Sequence, residues 1–497
     1  MKKKIVLLPL DERPCNYNFP EKLFCDKEIE IVKPMKLGDK KNPAEFENIK
    51  SFLISECKNA DGLILSIDML LYGGLIPSRI HELTVDELEK RLDLVKDLRK
   101  TNPKLIIYAF NVIMRCPNYS SDDEEPDYYL FCGKEIHDLG VAVHKSRAGI
   151  ESSVPVEQAM EQVDKKILND YIGRRKINLE LNLKVLKLAK DGFLDGLVIP
   201  QDDSAEFGYA AMDQMIIREK VAEFNLKDTV LIYPGADEVE LTLMARLLNS
   251  FADIHPKVYA EYFNDKAKNL IPLYEGAPLD KTVQNHIISA GCSIASSEDE
   301  ADIVLFITAP HEMMQEAIIQ PSTNTDYTGR NLDILKKKIT KIHDEGKYFI
   351  IADNAYANGG DLSIIELLNN NDMLLKVDGY AGWNTSANTI GTAIAEGCFV
   401  YLYGKASAFE SFLVSRYIED GLYCGKVRGE VTDDLPKAGF NYFDVKDKNG
   451  VVSFIVTDRL MDYIYKYLSS VSNRLENIKV TMPWRRMFEI DLEINLL

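Results

Sequence analysis

The chain has 497 residues, 46% of them hydrophobic and 28% charged, which allows a large core and is too long for one small domain. Its formal net charge is −19, which argues against nucleic acid or an anionic membrane as the main partner, since phosphate binding needs clustered Lys and Arg. No apolar run approaches the roughly 18 residues of a membrane span. The eight cysteines form no CxxC pair, so they read as reduced thiols of a cytoplasmic protein.

The opening MKKKIVLLPLDERP places lysines before an apolar stretch, as a secretion signal would. That stretch is short, contains Pro9 and meets Asp11-Glu12-Arg13 at once, so it reads as a first β-strand. Similar runs follow at 29–34, 61–74, 104–115, 195–203, 229–238, 257–263, 301–310, 347–360 and 374–385. Their near-continuous apolar, β-branched composition predicts strands of a parallel sheet buried on both faces. Amphipathic helical stretches such as 84–100 and 330–346 alternate with them.

This alternation predicts an α/β fold, either a (β/α)8-type barrel or a doubly wound open sheet. Polar residues gather where the strands end: Asp11 and Arg13, Asp68 and Tyr72, Asn111 and Arg115, Asp202 and Asp203, Asp237 and Glu238. Asp353, Asn354 and Asn358 follow, then Asn384 and Asn388. In a barrel such ends converge on one mouth, whereas an open sheet spreads them along an edge. The number of polar ends favours the barrel. It would occupy 1–398, with an acidic, mobile loop insertion at 117–160, a small α/β insertion at about 250–300, and an α+β appendage at 399–497.

No P-loop, GxGxxG after the first strand, GxSxG elbow or HExxH motif is present. The sharpest signal is Asp202-Asp203 in GLVIPQDDSAEFG. Two carboxylates crowded at a strand end raise one pKa, leaving a proton-bearing acid beside an anion, as glycosidases require. The plain alternative is one helix-capping Asp and one solvated Asp. In ADNAYANGGD, Asp353, Asn354, Asn358 and Asp361 could hold sugar hydroxyls or a divalent cation, or could simply form a turn. Trp383 in GYAGWNTSANTIGTAIA is a candidate stacking surface, and Asn384 and Asn388 are candidate sugar contacts, the plain alternative being an Asn or Thr helix N-cap. For Asp11, Arg13, Asp68 and Tyr72, buried pairing is as good a reading as substrate contact.

Taken together, LPLDERPCN, LYGGLIPSR, QDDSAEFGY, YPGADEVELTLMAR, ADNAYANGGD, GWNTSANTIGTA and PWRRMFEIDLEI resemble an uncharacterised bacterial family, domain-of-unknown-function family 4127. A more distant resemblance is to O-GlcNAcase-type glycoside hydrolases, on the order of Asp202-Asp203, then Asp353-Asn354 with Asn358, then Asn384 with Asn388. That resemblance implies a barrel, with Asp202 orienting a 2-acetamido group and Asp203 as general acid/base. It also implies asparagines gripping the sugar. The resulting expectation is a retaining, substrate-assisted β-N-acetylhexosaminidase that acts on a small carbohydrate or glycoconjugate and needs no cofactor. Two alternatives stay open. One is a carbohydrate- or metabolite-binding protein. The other is a divalent-metal hydrolase or lyase using Asp202, Asp203, Asp237 and Asp353.

Overall fold

The structure is a computed structural model that describes residues 2–328 and 330–497. The chain divides into two compact units. The first takes 1–12, 27–240 and 274–276, and the second takes 13–26, 241–273 and 277–497.

The first unit is built on β1 (Lys3–Leu8), β2 (Ile29–Val32), β3 (Gly62–Ser66), β4 (Ile106–Phe110), β5 (Gly196–Gln201) and β6 (Val230–Pro234). All neighbours pair parallel, in the order β2-β1-β3-β4-β5-β6. Every residue of β3 and β5 is buried, as expected of strands covered on both faces. Leu7 sits opposite Ile64 and Ile199 opposite Ile232. Helices such as Phe46–Cys57 and Lys165–Lys190 press Leu53 and Leu181 onto this core.

The second unit holds β7 (Lys257–Tyr262), β8 (Ser293–Ile294), β9 (Ile303–Ile307), β10 (Gln315–Glu316), β11 (Tyr348–Ala352), β12 (Tyr356–Ala357) and β13 (Tyr380–Ala381). The main sheet is parallel, ordered β13-β11-β9-β7-β8, while β10 and β12 form a small separate pair. Finally, β14 (Leu475–Thr481) and β15 (Asp491–Leu496) make an antiparallel ribbon. In each main sheet the first strand in sequence lies inside, the second flanks it on one side, and the later strands extend from the other. This is the doubly wound pattern, whose crevice lies at the carboxyl ends of the strands where the direction reverses.

The fold is therefore α/β with parallel sheets, but the strands are shared between two open sheets instead of closing as one eight-stranded barrel. The boundary expected at 398/399 differs from the division near 240. The supposed insertion at 250–300 supplies β7 and β8, the first two strands of the second sheet. The 117–160 stretch, expected as a mobile loop, contains helices Tyr129–Arg147 and Val156–Glu161. Its acidic residues are also engaged: Asp123 pairs with Lys40, and Asp127 with Lys41 at 2.9 Å. Polar composition suggested exposure there because the distant cations are invisible to local pattern.

Leu305 lies in the middle of β9, fully buried between β7 and β11. Leu305→Ala should cost about 2–5 kcal/mol in a urea melt. Ile54→Ala, at a position that is 48% exposed, should change stability by no more than about 0.5 kcal/mol.

Candidate functional site

Asp202 and Asp203 follow β5 directly, and Asp203 has a left-handed backbone with φ of 45°. Adjacent side chains on a regular strand point to opposite faces. Here the strand has ended, and both carboxylates reach the same guanidinium. Nη1 of Arg115 donates to Asp203 Oδ2 at 2.7 Å and lies 3.8 Å from Asp202 Oδ2. Nη2 of Arg79 donates to Asp202 Oδ2 at 2.6 Å.

The two arginines are themselves held from behind. Glu124 Oε2 accepts from Arg79 at 3.0 Å and from Arg115 at 2.9 Å. Glu125 Oε1 accepts from Arg115 Nε at 2.7 Å and from Arg79 at 3.3 Å. Burial is graded across the cluster. The Glu125 side chain is 1% exposed and Arg79 2%, against 21% for Asp202 and 23% for Asp203. The aspartates thus form the accessible edge of a sealed charge network.

Burial raises the pKa of Asp202 above the usual carboxylate range, and the neighbouring Asp203 charge adds to the rise; both arginines oppose it. Burial works against the charge on Arg115, but Tyr119 and the surrounding carboxylates outweigh it and hold the guanidinium charged. Arg79, Glu124 and Glu125 were missed from sequence. The paired glutamates stand in SSDDEEPD, within the stretch expected from composition as an acidic, mobile loop.

Asp68 lies deeper in the first unit. It accepts from the Val112 N–H at 2.8 Å and the Asn111 amide at 3.2 Å, and Asn182 donates to Asn111 at 2.7 Å. Burial pushes Asp68 up to about 6, even with these donors. Tyr72 is buried against the His81 ring at 4.6 Å. Asp11 and Asp237 are both buried near Glu240, whose charge they disfavour after burial itself. Glu240 Oε1 accepts from the Leu10 N–H at 2.7 Å, tying the stretch after β1 to the one after β6. No group of three or more His, Cys, Asp or Glu among the described residues is arranged to hold a metal ion.

The remaining sequence candidates belong to the second unit. Asp353, at the end of β11, accepts from the Thr308 hydroxyl at 2.8 Å, the Tyr380 hydroxyl at 2.9 Å and the Asp361 N–H at 2.7 Å. Gly360 permits this approach, since a Cβ there would overlap the Tyr380 hydroxyl. Asn354 donates to the Ser386 carbonyl at 3.2 Å, and Asn358 donates to Glu316 at 3.0 Å. The Asn358 N–H meets the Asn384 carbonyl at 2.8 Å, and both residues have positive φ. Asn388 accepts from the Thr385 hydroxyl at 2.8 Å in a capping box, which is the helix-cap alternative raised for this segment.

Trp383 is 8% exposed, meets Phe19 edge-on at 6.0 Å and donates its indole N–H to Thr392 at 3.2 Å. Its ring is packed within the second unit and is not open as a sugar platform. Arg13 lies 3.8 Å from Glu489 and 4.8 Å from the Trp484 ring centroid. Of the sequence candidates, Asp11, Asp68, Tyr72, Asn111, Asp202, Asp203 and Asp237 belong to the first unit and the others to the second.

One buried network went unnoticed in the sequence. A π-helix, Tyr417–Val427, carries Glu419 and Asp420, and Asp420 pairs with Arg416 at 2.9 Å while accepting the Gly382 N–H at 3.0 Å. Burial pushes Asp420 up to about 7 and Asp353 up to about 6. FESFLVSRYIEDGLYC reads as an ordinary helix, because nothing in its periodicity marks the wider turn.

The DUF4127 family model, described as a protein of unknown function, matches residues 5–493. The chain belongs to that family. No curated protein matches it. One solved structure, the carboxyl transferase domain from Rhizobium etli pyruvate carboxylase with 3-bromopyruvate, is 12% identical. The match covers 94% of this chain and 61% of that one at a TM-score of 0.19, too low to carry an argument. Nothing in these comparisons supports the likeness to O-GlcNAcase-type hydrolases. No helix among the described residues of this DUF4127 member is long and apolar enough to cross a membrane.

A folded-state pKa of about 6 for Asp68, against an ordinary 3.8, means the native state holds a proton that the unfolded chain releases. Its stabilising effect is present below about pH 4 and is lost as pH rises through 6, on the order of 3 kcal/mol. Asp68→Asn mimics the neutral acid. Denaturant melts should show it gaining roughly 2–3 kcal/mol relative to wild type between pH 4 and pH 7.

Proposed function

We propose that this chain is a hydrolase-type enzyme that cleaves a glycosidic bond in a small carbohydrate or glycoconjugate, with Asp202 as proton donor. The observation that carries this reading is the pairing at the end of β5. A carboxyl raised by burial and by its neighbour's charge sits beside an arginine-held carboxylate, and both are partly open to solvent. Such a pair supplies the two states glycoside cleavage needs, an acid for the leaving oxygen and an anion for the developing positive charge. The shared Arg115 nitrogen keeps the two oxygens close, which suits the shorter carboxylate spacing of retaining enzymes.

The roles differ from those the O-GlcNAcase resemblance implies, which gave proton transfer to Asp203. Here Asp202 takes the proton, and Asp203, fixed by Arg115, serves as the anion. The acetamido-assisted variant has less support. Asn388 is occupied by its own helix cap and Trp383 is packed inside.

Turnover on a panel of chromogenic glycosides, read beside melting temperature, tests the proposal. Asp202→Asn should lower kcat by about 10²–10⁴-fold with the melting temperature nearly unchanged. Wild-type kcat should fall on the alkaline side as Asp202 loses its proton. Asp203→Asn should slow turnover as well. If both variants keep full turnover and instead lose thermal stability, the cluster is structural and the hydrolase assignment fails.

A further inference from the structure

The second unit sets the sulfurs of Cys292 and Cys398 at 3.3 Å from each other, although 106 residues separate them in the chain. Both are free thiols and both are buried, Cys292 at 8% exposure and Cys398 at 0%. A lone buried thiol serves as a small apolar side chain. These two differ, because the sulfurs meet and the backbone carrying each is fixed.

Cys292 follows the helix Leu279–Ser289 and immediately precedes edge strand β8. Its N–H donates to the Ile287 carbonyl at 3.1 Å, and the Ser293 N–H donates to the Pro256 carbonyl at 2.9 Å. Cys398 lies in the helix Ser386–Tyr403. Its neighbour Gly397 sits flush with β11, since a Cβ there would come within 2.8 Å of the Ile350 side chain. Asn249, from the helix Val239–Ala252, holds the junction from a third side. Its Nδ2 donates to the Ala290 carbonyl at 2.9 Å and meets the two sulfurs at 3.7 and 3.8 Å.

A disulfide holds its sulfurs about 2.05 Å apart, so closing this pair takes a movement of little more than about 1 Å, shared between two side chains. We propose that Cys292 and Cys398 form a reversible disulfide when the protein meets a small hydroperoxide, stapling β8 to the helix Ser386–Tyr403. The oxidant is small because Cys398 is enclosed and Cys292 offers little surface. The Cys292 thiolate attacks one peroxide oxygen, the O–O bond breaks, and the departing hydroxide takes up the thiol proton as water. The Cys398 sulfur then attacks the resulting sulfenic acid at sulfur, the S–O bond breaks, and the oxygen leaves with the second thiol proton as another water. Two thiols are oxidised, and one hydrogen peroxide is reduced to two waters.

The hydrogen bond with Cys398, and then burial, push the Cys292 thiol up, so the first step is slow and the pair closes only under sustained oxidant. The consequence is local stiffening. Strand β8 pairs with β7 through Ser293 and Ile294 alone, and a bond at the preceding residue pins that short edge. It also closes a long loop, which restricts the unfolded chain. The site is independent of the acid–base reading at Asp202.

The test treats the full chain with hydrogen peroxide under native conditions, alkylates it in denaturant and maps the peptides by mass spectrometry. A peptide joining Cys292 to Cys398 should be the main cross-link and should vanish after dithiothreitol. The linked chain should melt at least about 3 °C above the reduced one. Cys292→Ala should lose both the cross-link and the gain. Mapping needs only the wild-type chain, so it decides the matter even where that variant folds poorly. Cys25 is exposed, and its oxidation shows that the peroxide has acted. Oxidised Cys25 beside unlinked Cys292 and Cys398, Cys292 carried to sulfinic acid without a cross-link, or a linked chain that melts no higher would overturn the proposal.

Discussion

Arg115 is the group on which the polar end of the first unit depends. It extends from just beyond β4 and contacts Glu124, Glu125 and Asp203 through three different nitrogens, with Asp202 within 3.8 Å. Removing a guanidinium from such a position would leave several carboxylates facing one another in a poorly solvated space, a far larger penalty than losing an exposed ion pair. The 117–160 stretch therefore has a reason to fold back onto the sheet. Its glutamates supply the counter-charge that lets two arginines be buried, and the arginines in turn let two adjacent aspartates coexist. Against four carboxylates there are only two guanidiniums, so the mismatch is largest at the accessible edge. Burial first, and then that imbalance, raises the pKa of Asp202.

Much of the fold was legible in the chain because strand burial is a local property. Runs such as Leu63-Ile64-Leu65 and Ile303-Val304-Leu305-Phe306 declare parallel strands by their composition, and the structure places strands there. How strands join into sheets was not legible, because a barrel and two doubly wound sheets demand the same alternation. Counting polar strand ends could not separate them, since two sheets offer two sets of ends. The region around 250–300 misled for a related reason. Edge strand β8 is only Ser293–Ile294, too short to show as an apolar run, so β7 lost its visible neighbour.

Site residues divide in a similar way. Asp202 and Asp203 stood out because adjacent carboxylates after an apolar run are unusual. Arg79 and Glu125 did not, because their significance lies in partners beyond the reach of local pattern, 46 residues apart for their own pair and 123 for Arg79 with Asp202. Asn388 and Trp383 looked like ligand groups from their chemistry alone. Both instead serve the start of their own helix: Asn388 closes a capping box, while Thr389 takes the Trp383 N–H at 2.9 Å. Asparagine and tryptophan next to a helix start are ambiguous until the hydrogen bonds are known.

The two sheets repeat one winding order with no matching repeat in sequence, so topology is shared while polar chemistry is not. The first sheet concentrates charge after β5 and answers it with arginines from elsewhere in the same unit. In the second, Asp353 and Asp420 are buried among hydroxyls, backbone N–H groups and a single buried arginine, and both are pushed toward neutrality. Each accepts several of these donors at once, so the two carboxyls act as hydrogen-bonding pins that hold β11, β13 and the π-helix together. Arg330 is the point where that interior meets open space. One nitrogen is committed to Asp361, whose N–H reaches Asp353. The chain of contacts from Asp353 through Asp361 to Arg330 thereby ties the end of β11 to the stretch just before the helix Leu332–Asp344 by one further buried ion pair.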